Sequence, residues 1–109
     1  MDARIQMTIR AMQNSKTQRL QMRDLARQVN LSLWHFTHLF KAETSISPKR
    51  YLRDLKMKKA AALLEGSFLS VKEITSLVGF NDRSHFSRDF KSAFGQNPSE
   101  YRTLRRRLL

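Results

Sequence analysis

Hydrophobic residues recur at intervals of three and four along most of the chain, which is the spacing that places side chains on one face of an α-helix. Phe36, Leu39 and Phe40 follow this spacing in the first half, and Phe86 and Phe90 follow it in the second. Glycine and proline are scarce, with 3 and 2 residues, too few for the many turns of an all-β chain. The pattern therefore predicts an all-α protein.

Seven helices are predicted from this spacing and from the residues that start and stop helices. Small polar residues that favour helix starts are Asp2, Ser32, Ser47, Ser70, either Asn81 or Asp82, and Asn97. Ser70 with Glu73 forms a capping box, and Gly66 is expected in the left-handed position that ends the fourth helix. The predicted ranges are Ala3–Asn14, Met22–Val29, Leu33–Glu43, Pro48–Leu64, Val71–Val78, Arg83–Phe94 and a last helix beginning at Pro98.

The chain also repeats itself with a period of about 50 residues. The matching pairs are His35-Phe36 with His85-Phe86, Phe40-Lys41 with Phe90-Lys91, Pro48 with Pro98 and Tyr51 with Tyr101. Two helix–turn–helix units joined by one long helix are the simplest account. We expect an N-terminal helix plus the first helix–turn–helix over residues 1–47, a linker helix over 48–66, and the second helix–turn–helix plus a C-terminal helix over 67–109.

The composition narrows the class of partner. A chain of 109 residues holds one domain or two very small ones, and its net charge of +12 suits a polyanion, nucleic acid first and an anionic membrane surface second. Cysteine is absent, which excludes disulfides and thiolate chemistry. No apolar run approaches the ~18 residues of a spanning helix, and the N-terminus does not resemble a secretory signal. We expect a soluble, cytoplasmic protein with no membrane contact.

In a helix–turn–helix, the second helix enters the major groove of DNA, so it needs one apolar face and one face of base-reading residues. Both candidate second helices have this arrangement. The residues expected to contact bases are Trp34, Thr37 and His38 on the first, and Arg83, Ser84, Ser87 and Arg88 on the second. The residues expected to contact phosphates are Ser32, Lys41, Asn81 and Lys91. The guanidinium group of Arg83 or Arg88 can donate two hydrogen bonds to O6 and N7 of a guanine.

Other interpretations of these residues stay open. Arg83 and Arg88 are either DNA contacts or solvated charges, and the same choice holds for His38. The basic C-terminal tail from Arg102 onward either touches DNA or frays. Three histidines have no carboxylate or cysteine at ligand spacing, so no metal site is expected. No catalytic triad, phosphate loop or cofactor site is visible, so an enzyme is not expected. The competing class is a basic helical module that binds RNA or a protein partner.

The segment SVKEITSLVGFNDRSHFSRDFKSAFGQNPSEYR, residues 70–102, resembles the signature of the AraC/XylS family of bacterial transcription regulators. The family pattern has a capped helix, a Gly-Phe turn, an aromatic-rich recognition helix, Phe-Lys, and then Gly, Pro and Tyr-Arg. The first half of the chain also fits, and the resemblance covers about Leu20 to Arg102. The matching residues there are Leu25-Ala26, Leu31-Ser32, Phe40-Lys41, Pro48, Tyr51-Leu52 and Leu63-Leu64. Ser45 stands where glycine is usual, Gln21 where a Ser or Thr cap is common, and Lys56 where arginine is frequent.

The resemblance implies a seven-helix domain of two helix–turn–helix subdomains that reads successive major-groove segments of an asymmetric double-stranded DNA site. It implies no cofactor. It implies that RNA polymerase is a possible partner and that the site of action is the bacterial nucleoid. Many members carry an N-terminal effector or dimerisation domain. This chain is too short to include one, so we expect either a small stand-alone regulator or the C-terminal part of a longer protein.

Overall fold

The computed structural model describes residues 1–14 and 20–108, and these residues form seven α-helices and no β-strand. In chain order they are α1 (Ala3–Asn14), α2 (Met22–Gln28), α3 (Leu33–Thr44), α4 (Pro48–Gly66), α5 (Val71–Leu77), α6 (Arg83–Phe94) and α7 (Pro98–Arg107). The predicted all-α class and helix order are confirmed. In the described ranges, every helix is too short or too polar to cross a membrane.

The helices α2 and α5 each end one residue before the predicted valine. Val29 and Val78 lie just beyond the last helical residue. The chain then turns through Asn30 (φ 59°) and Gly79 (φ 87°). Residues in the left-handed region cannot continue a right-handed helix, so each turn fixes the end of the helix before it.

The end of α4 corrects a prediction. Gly66 is the last helical residue and does not have a positive φ, so the expected left-handed glycine cap is wrong. The Ser67 hydroxyl donates to the Leu63 carbonyl at 2.6 Å, and Nε of Arg102 donates to the Leu64 carbonyl at 3.1 Å. These side chains satisfy carbonyl groups at the helix end, which a left-handed turn would otherwise do.

The chain divides within α4 into two compact units, Met1–Leu55 and Lys56–Leu109. Each unit has its own hydrophobic core. The core of the first unit consists of Ile5, Met12, Leu25, Ala26, Val29, Phe36, Phe40 and Leu52. The core of the second consists of Met57, Ala60, Ala61, Leu64, Ile74, Val78, Phe86, Phe90 and Tyr101. In each unit, phenylalanines of the second helix of the helix–turn–helix are fully buried, which holds one face of that helix against its unit.

The predicted 50-residue repeat is confirmed in the burial of the side chains. Every residue from 32 to 50 is buried, half-buried or exposed to the same degree as the residue 50 positions later. The C-caps also match: Ser45 and Gly95 have φ values of 71° and 78°. Their amides donate to the carbonyls of Lys41 and Lys91 at 2.8 and 2.7 Å. Ser45 therefore adopts the left-handed conformation where the family usually has glycine.

Side-chain caps fix the helix starts largely as predicted. Of the two candidates before α6, Asp82 is the cap, since its carboxylate accepts from the amide of His85 at 2.8 Å. Ser70 and Glu73 form the expected capping box. Asn97 forms a second, unpredicted box with Glu100 before α7. Gln21 makes no capping hydrogen bond at the start of α2.

Candidate nucleic-acid interface

The exposed face of α3 carries the side chains predicted to contact bases. Trp34 is 69% exposed, which is rare for tryptophan and is unexplained by packing. His38 and Lys41 are also exposed, and Thr37 is half-buried. Phe36 and Phe40 are on the opposite, fully buried face. The Ser32 hydroxyl accepts from the amide of His35 at 3.1 Å and starts the helix. The helix therefore has the two-faced character that the sequence predicts.

Trp34 and His38 contact each other on this face. Their rings stack with centroids 3.9 Å apart and an angle of 26° between the planes. Nδ1 of His38 lies 2.8 Å from the carbonyl oxygen of Trp34, one helical turn back. Because a ring contact and a hydrogen bond both hold His38, the imidazole has a fixed orientation on the surface.

Thr37 is also tied to its own helix. Its hydroxyl donates to the carbonyl oxygen of Leu33 at 2.8 Å, a local bond that threonine often makes in a helix. This bond uses the only proton of the hydroxyl, and the oxygen lone pairs remain.

The exposed face of α6 has free donors instead. Arg83, Ser84, Arg88 and Lys91 are exposed and Ser87 is half-buried. Within residues 1–14 and 20–108, none of these side chains makes a hydrogen bond or an ion pair. The arginine and serine donors are therefore available to a ligand.

The N-cap residues of α3 and α6 differ in charge. Ser32 begins α3 with a neutral hydroxyl whose proton is free to donate to a phosphate, because its oxygen accepts the capping bond. The corresponding position before α6 is Asp82, a carboxylate, which would repel a phosphate. Asn81, exposed beside it, is the neutral donor at that end.

His85 has a partner that sequence reasoning missed. Its Nε2 lies 3.3 Å from the Asp89 carboxylate, one turn along α6, and its ring packs edge-on against Phe80. The spacing of four residues between His85 and Asp89 is the sequence signal that was available. This pairing fixes the Asp89 carboxylate beside His85.

The basic C-terminal helix folds back on its own unit. Nε of Arg102 donates to the Leu64 carbonyl, and Arg106 donates to the Ser67 carbonyl. Arg105 lies 3.7 Å from the Glu65 carboxylate and 5.0 Å from the Tyr101 ring. Burial lowers the pKa of Arg102 from its ordinary value. These arginines hold α7 to the end of α4, so residues 102–107 do not fray. Contact of the tail with DNA stays a prediction.

Lys56, at the position where the family often has arginine, points into its unit. Its Nζ lies 5.6 Å from the centroid of the Phe80 ring, and partial burial lowers the pKa of its ammonium group. Among the described residues, no cluster of three histidine, cysteine or acidic side chains is arranged to hold a metal ion.

Comparisons with known proteins identify the class of this chain. The profile of a helix-turn-helix domain matches residues 25–104. The Msm operon regulatory protein of Streptococcus mutans is 40% identical over 83 residues, which cover 76% of this chain and 30% of that protein. The transcriptional activator RhaS of Klebsiella pneumoniae is 32% identical over 108 residues, covering 99% of this chain and 39% of that protein.

A solved structure has the same fold. The C-terminal domain of AraT, a response regulator from Geobacillus stearothermophilus, superposes with a TM-score of 0.90 at 30% sequence identity, and the match covers 95% of this chain and 87% of that domain. The chain is a helix-turn-helix protein with two such motifs. It belongs to the AraC/XylS family of transcription regulators and corresponds to their DNA-binding domain. It spans 30% and 39% of the length of the two regulators named above.

Proposed function

We propose that this chain binds a specific double-stranded DNA site and regulates transcription from it. The observation that carries the proposal is the pair of matched helices, α3 and α6. Each is held by buried phenylalanines on one face and presents polar or aromatic side chains on the other. Because these outward residues differ between the helices, the proposed site is asymmetric, with one major-groove segment for each helix.

The proposed roles divide along the two helices. Bases are contacted by Trp34, Thr37 and His38 on α3, and by Arg83, Ser84, Ser87 and Arg88 on α6. Phosphates are contacted by Ser32, Lys41, Asn81 and Lys91, which set the register without reading sequence. The net charge of +12 supplies additional attraction to any DNA sequence.

Selection from a pool of randomised duplexes at near-physiological salt tests the proposal. The expected result is one asymmetric motif, bound more tightly than unrelated duplexes by about 10³-fold or more. Binding without a preferred motif, which falls steeply with added salt, would mean that the charge alone gives the affinity. That result would contradict sequence-specific regulation. Preferential capture of RNA by the same chain would favour the basic interaction module instead.

Arginine variants test the assignment of base contacts on α6. Arg83→Ala and Arg88→Ala are each expected to relax the choice at particular base pairs by about 1–3 kcal/mol. The measurement is binding of each variant to the selected duplex and to its single-base-pair changes. A uniform loss of affinity on every duplex would assign the arginine to a phosphate instead.

RNA polymerase and an N-terminal effector or dimerisation domain are the further proposed partners, and the cytoplasmic nucleoid is the proposed location. RhaS, a relative, is a transcriptional activator, and this chain matches 39% of its length. A run-off transcription assay with the selected site placed upstream of a promoter tests the first partner. A rise in transcript on adding the protein is expected, and an unchanged yield would contradict direct activation by this chain.

A further inference from the structure

The polar side chains in the middle of α3 have used their hydrogen-bond donors within the helix. The Thr37 hydroxyl donates to the Leu33 carbonyl at 2.8 Å. Nδ1 of His38 lies 2.8 Å from the Trp34 carbonyl. A carbonyl oxygen only accepts, so Nδ1 at this distance carries the hydrogen. The atoms that Thr37 and His38 still offer to a ligand are therefore hydrogen-bond acceptors.

The state of the other imidazole nitrogen follows. A neutral imidazole holds one hydrogen, and with that hydrogen on Nδ1, the Nε2 atom presents a lone pair. Stacking on Trp34 fixes the ring plane, so the lone pair has a defined direction. Nε2 has no partner among the described residues, and the side chain is exposed. The indole N–H of Trp34 is the remaining donor beside this pair.

The edges of DNA bases in the major groove differ in what they offer. Guanine and thymine present acceptors, whereas adenine N6 and cytosine N4 present exocyclic amino groups that donate. We propose that Nε2 of His38 accepts a hydrogen bond from an exocyclic amino group, of adenine or cytosine, in the major-groove segment bound by α3. The proposal rests on the proposed function, that the chain binds a specific DNA site.

The side chains exposed on α6 offer hydrogen-bond donors, whereas those of Thr37 and His38 on α3 offer acceptors. Arg83 and Arg88 carry donors only, and neither makes a hydrogen bond or ion pair within the described ranges. They suit the acceptors O6 and N7 of guanine. The positions equivalent to Thr37 and His38 are Ser87 and Arg88, whose donors are uncommitted. The two helices thus read bases of opposite hydrogen-bonding polarity.

The test begins by finding the base pair that α3 reads. Selection is repeated with His38→Ala, and the position where preference disappears is the one that His38 contacts. His35→Ala is the matched control, because His35 is exposed on the same helix and is not a proposed base contact. This variant is expected to select the same motif as the unaltered chain.

Base analogues then identify which atom of the base His38 contacts. At the assigned pair, adenine is replaced by unsubstituted purine, or cytosine by 2-pyrimidinone, so that only the amino group is lost. At about pH 8, where free imidazole is neutral, the unaltered chain is expected to lose about 3- to 10-fold in affinity, the worth of one hydrogen bond. His38→Ala is expected to bind both duplexes equally. A 7-deaza analogue of the purine in the same pair, which lacks only the N7 acceptor, is expected to have no effect.

A polarity-reversing variant gives an independent result. His38→Arg replaces the acceptor with donors, so the preferred base at the assigned position is expected to change to guanine. Loss of affinity on the 7-deazapurine duplex, with none on removing the amino group, would overturn the inference, while the proposed function would stand. If the unaltered chain selects no motif at all, the proposed function itself fails.

Discussion

The C-cap residue differs between the two repeats, serine at the end of α3 and glycine at the end of α6. Ser45 and Gly95 end α3 and α6 in the same left-handed conformation, at φ 71° and 78°. A residue with a Cβ atom is strained there, by roughly 1–2 kcal/mol, whereas glycine is not. A Cβ at Gly95 would meet no atom within 4 Å. The two caps therefore differ in backbone strain, since their conformation is the same and a Cβ atom has room at this position.

Exchanging these two caps has a predicted effect on stability. Ser45→Gly is expected to stabilise the chain by about 1 kcal/mol, because it removes the strain of a left-handed serine. Gly95→Ser is expected to destabilise it by about the same amount. Urea denaturation followed by circular dichroism measures both. Equal stability of all three chains would mean that the serine conformation carries no strain.

At the scale of the element, helix ends divide into those that neighbouring residues determine and those that distant residues determine. The capping boxes and the left-handed turns are local, and sequence predicted the Ser70–Glu73 box. The end of α4 depends on Arg102 and Arg106, which are more than 30 residues away. No local pattern around Gly66 indicates those contacts, so the sequence suggested a glycine cap.

Arg102→Ala tests the clamp on the end of α4. The variant leaves the carbonyl of Leu64, a fully buried residue, without its charged donor, and a loss of about 1–2 kcal/mol is expected. The free energy of unfolding is measured against Arg107→Ala, an exposed arginine of the same helix, which is expected to be close to neutral. A similar loss in both variants would assign the effect to the charge of α7 rather than to the carbonyl contact.

The capping box of α5 predicts a dependence on pH. Hydrogen bonding to the backbone and side chain of Ser70 lowers the pKa of Glu73 below its ordinary value of 4.5. A carboxyl group with a lowered pKa stabilises the fold above its unfolded value, and this contribution is lost as the pH falls through the folded value. Glu73→Ala is therefore expected to melt below the unaltered chain at neutral pH, with the gap closing below about pH 4.

Thermal melting of both chains across this range checks the expectation. Lys72→Ala, which changes an exposed neighbour on the same helix, is the control and should follow the unaltered chain at every pH. A gap that persists undiminished in acid would show that Glu73 acts through something other than its charge.

On the scale of the whole molecule, the chain contains two cores rather than one. The sequence period of 50 residues predicted the paired motifs, because the buried aromatic positions recur at that distance. The candidate base-contact residues of α3 were chosen from helical spacing, since the buried Phe36 and Phe40 determine which face of the helix is outward. The bonds of Thr37 and His38 to their own backbone were not predictable. Threonine and histidine side chains can take up several rotamers, and packing in three dimensions selects one.

Removing one core aromatic is expected to act on its own unit first. Phe86 is fully buried in the second core, and Phe86→Ala is expected to cost about 3–5 kcal/mol by leaving a cavity. Hydrogen exchange is expected to accelerate mainly in residues 56–108. Phe36→Ala is the counterpart in the first core and is expected to accelerate exchange mainly in residues 20–55. Normal melting of Phe86→Ala would contradict its assignment to the core.

The matching burial of residues 32–50 and 82–100 means that the chain separates its scaffold from its recognition surface. The buried phenylalanines are shared, so exchanging the outward residues of α3 and α6 is expected to leave both cores unaltered. Leu33→Arg, Trp34→Ser, Thr37→Ser and His38→Arg together would copy the outward face of α6 onto α3. We expect a protein with those four changes to bind a site that contains the same short base sequence twice. The sequence specificity of each helix can then be changed without changing the other.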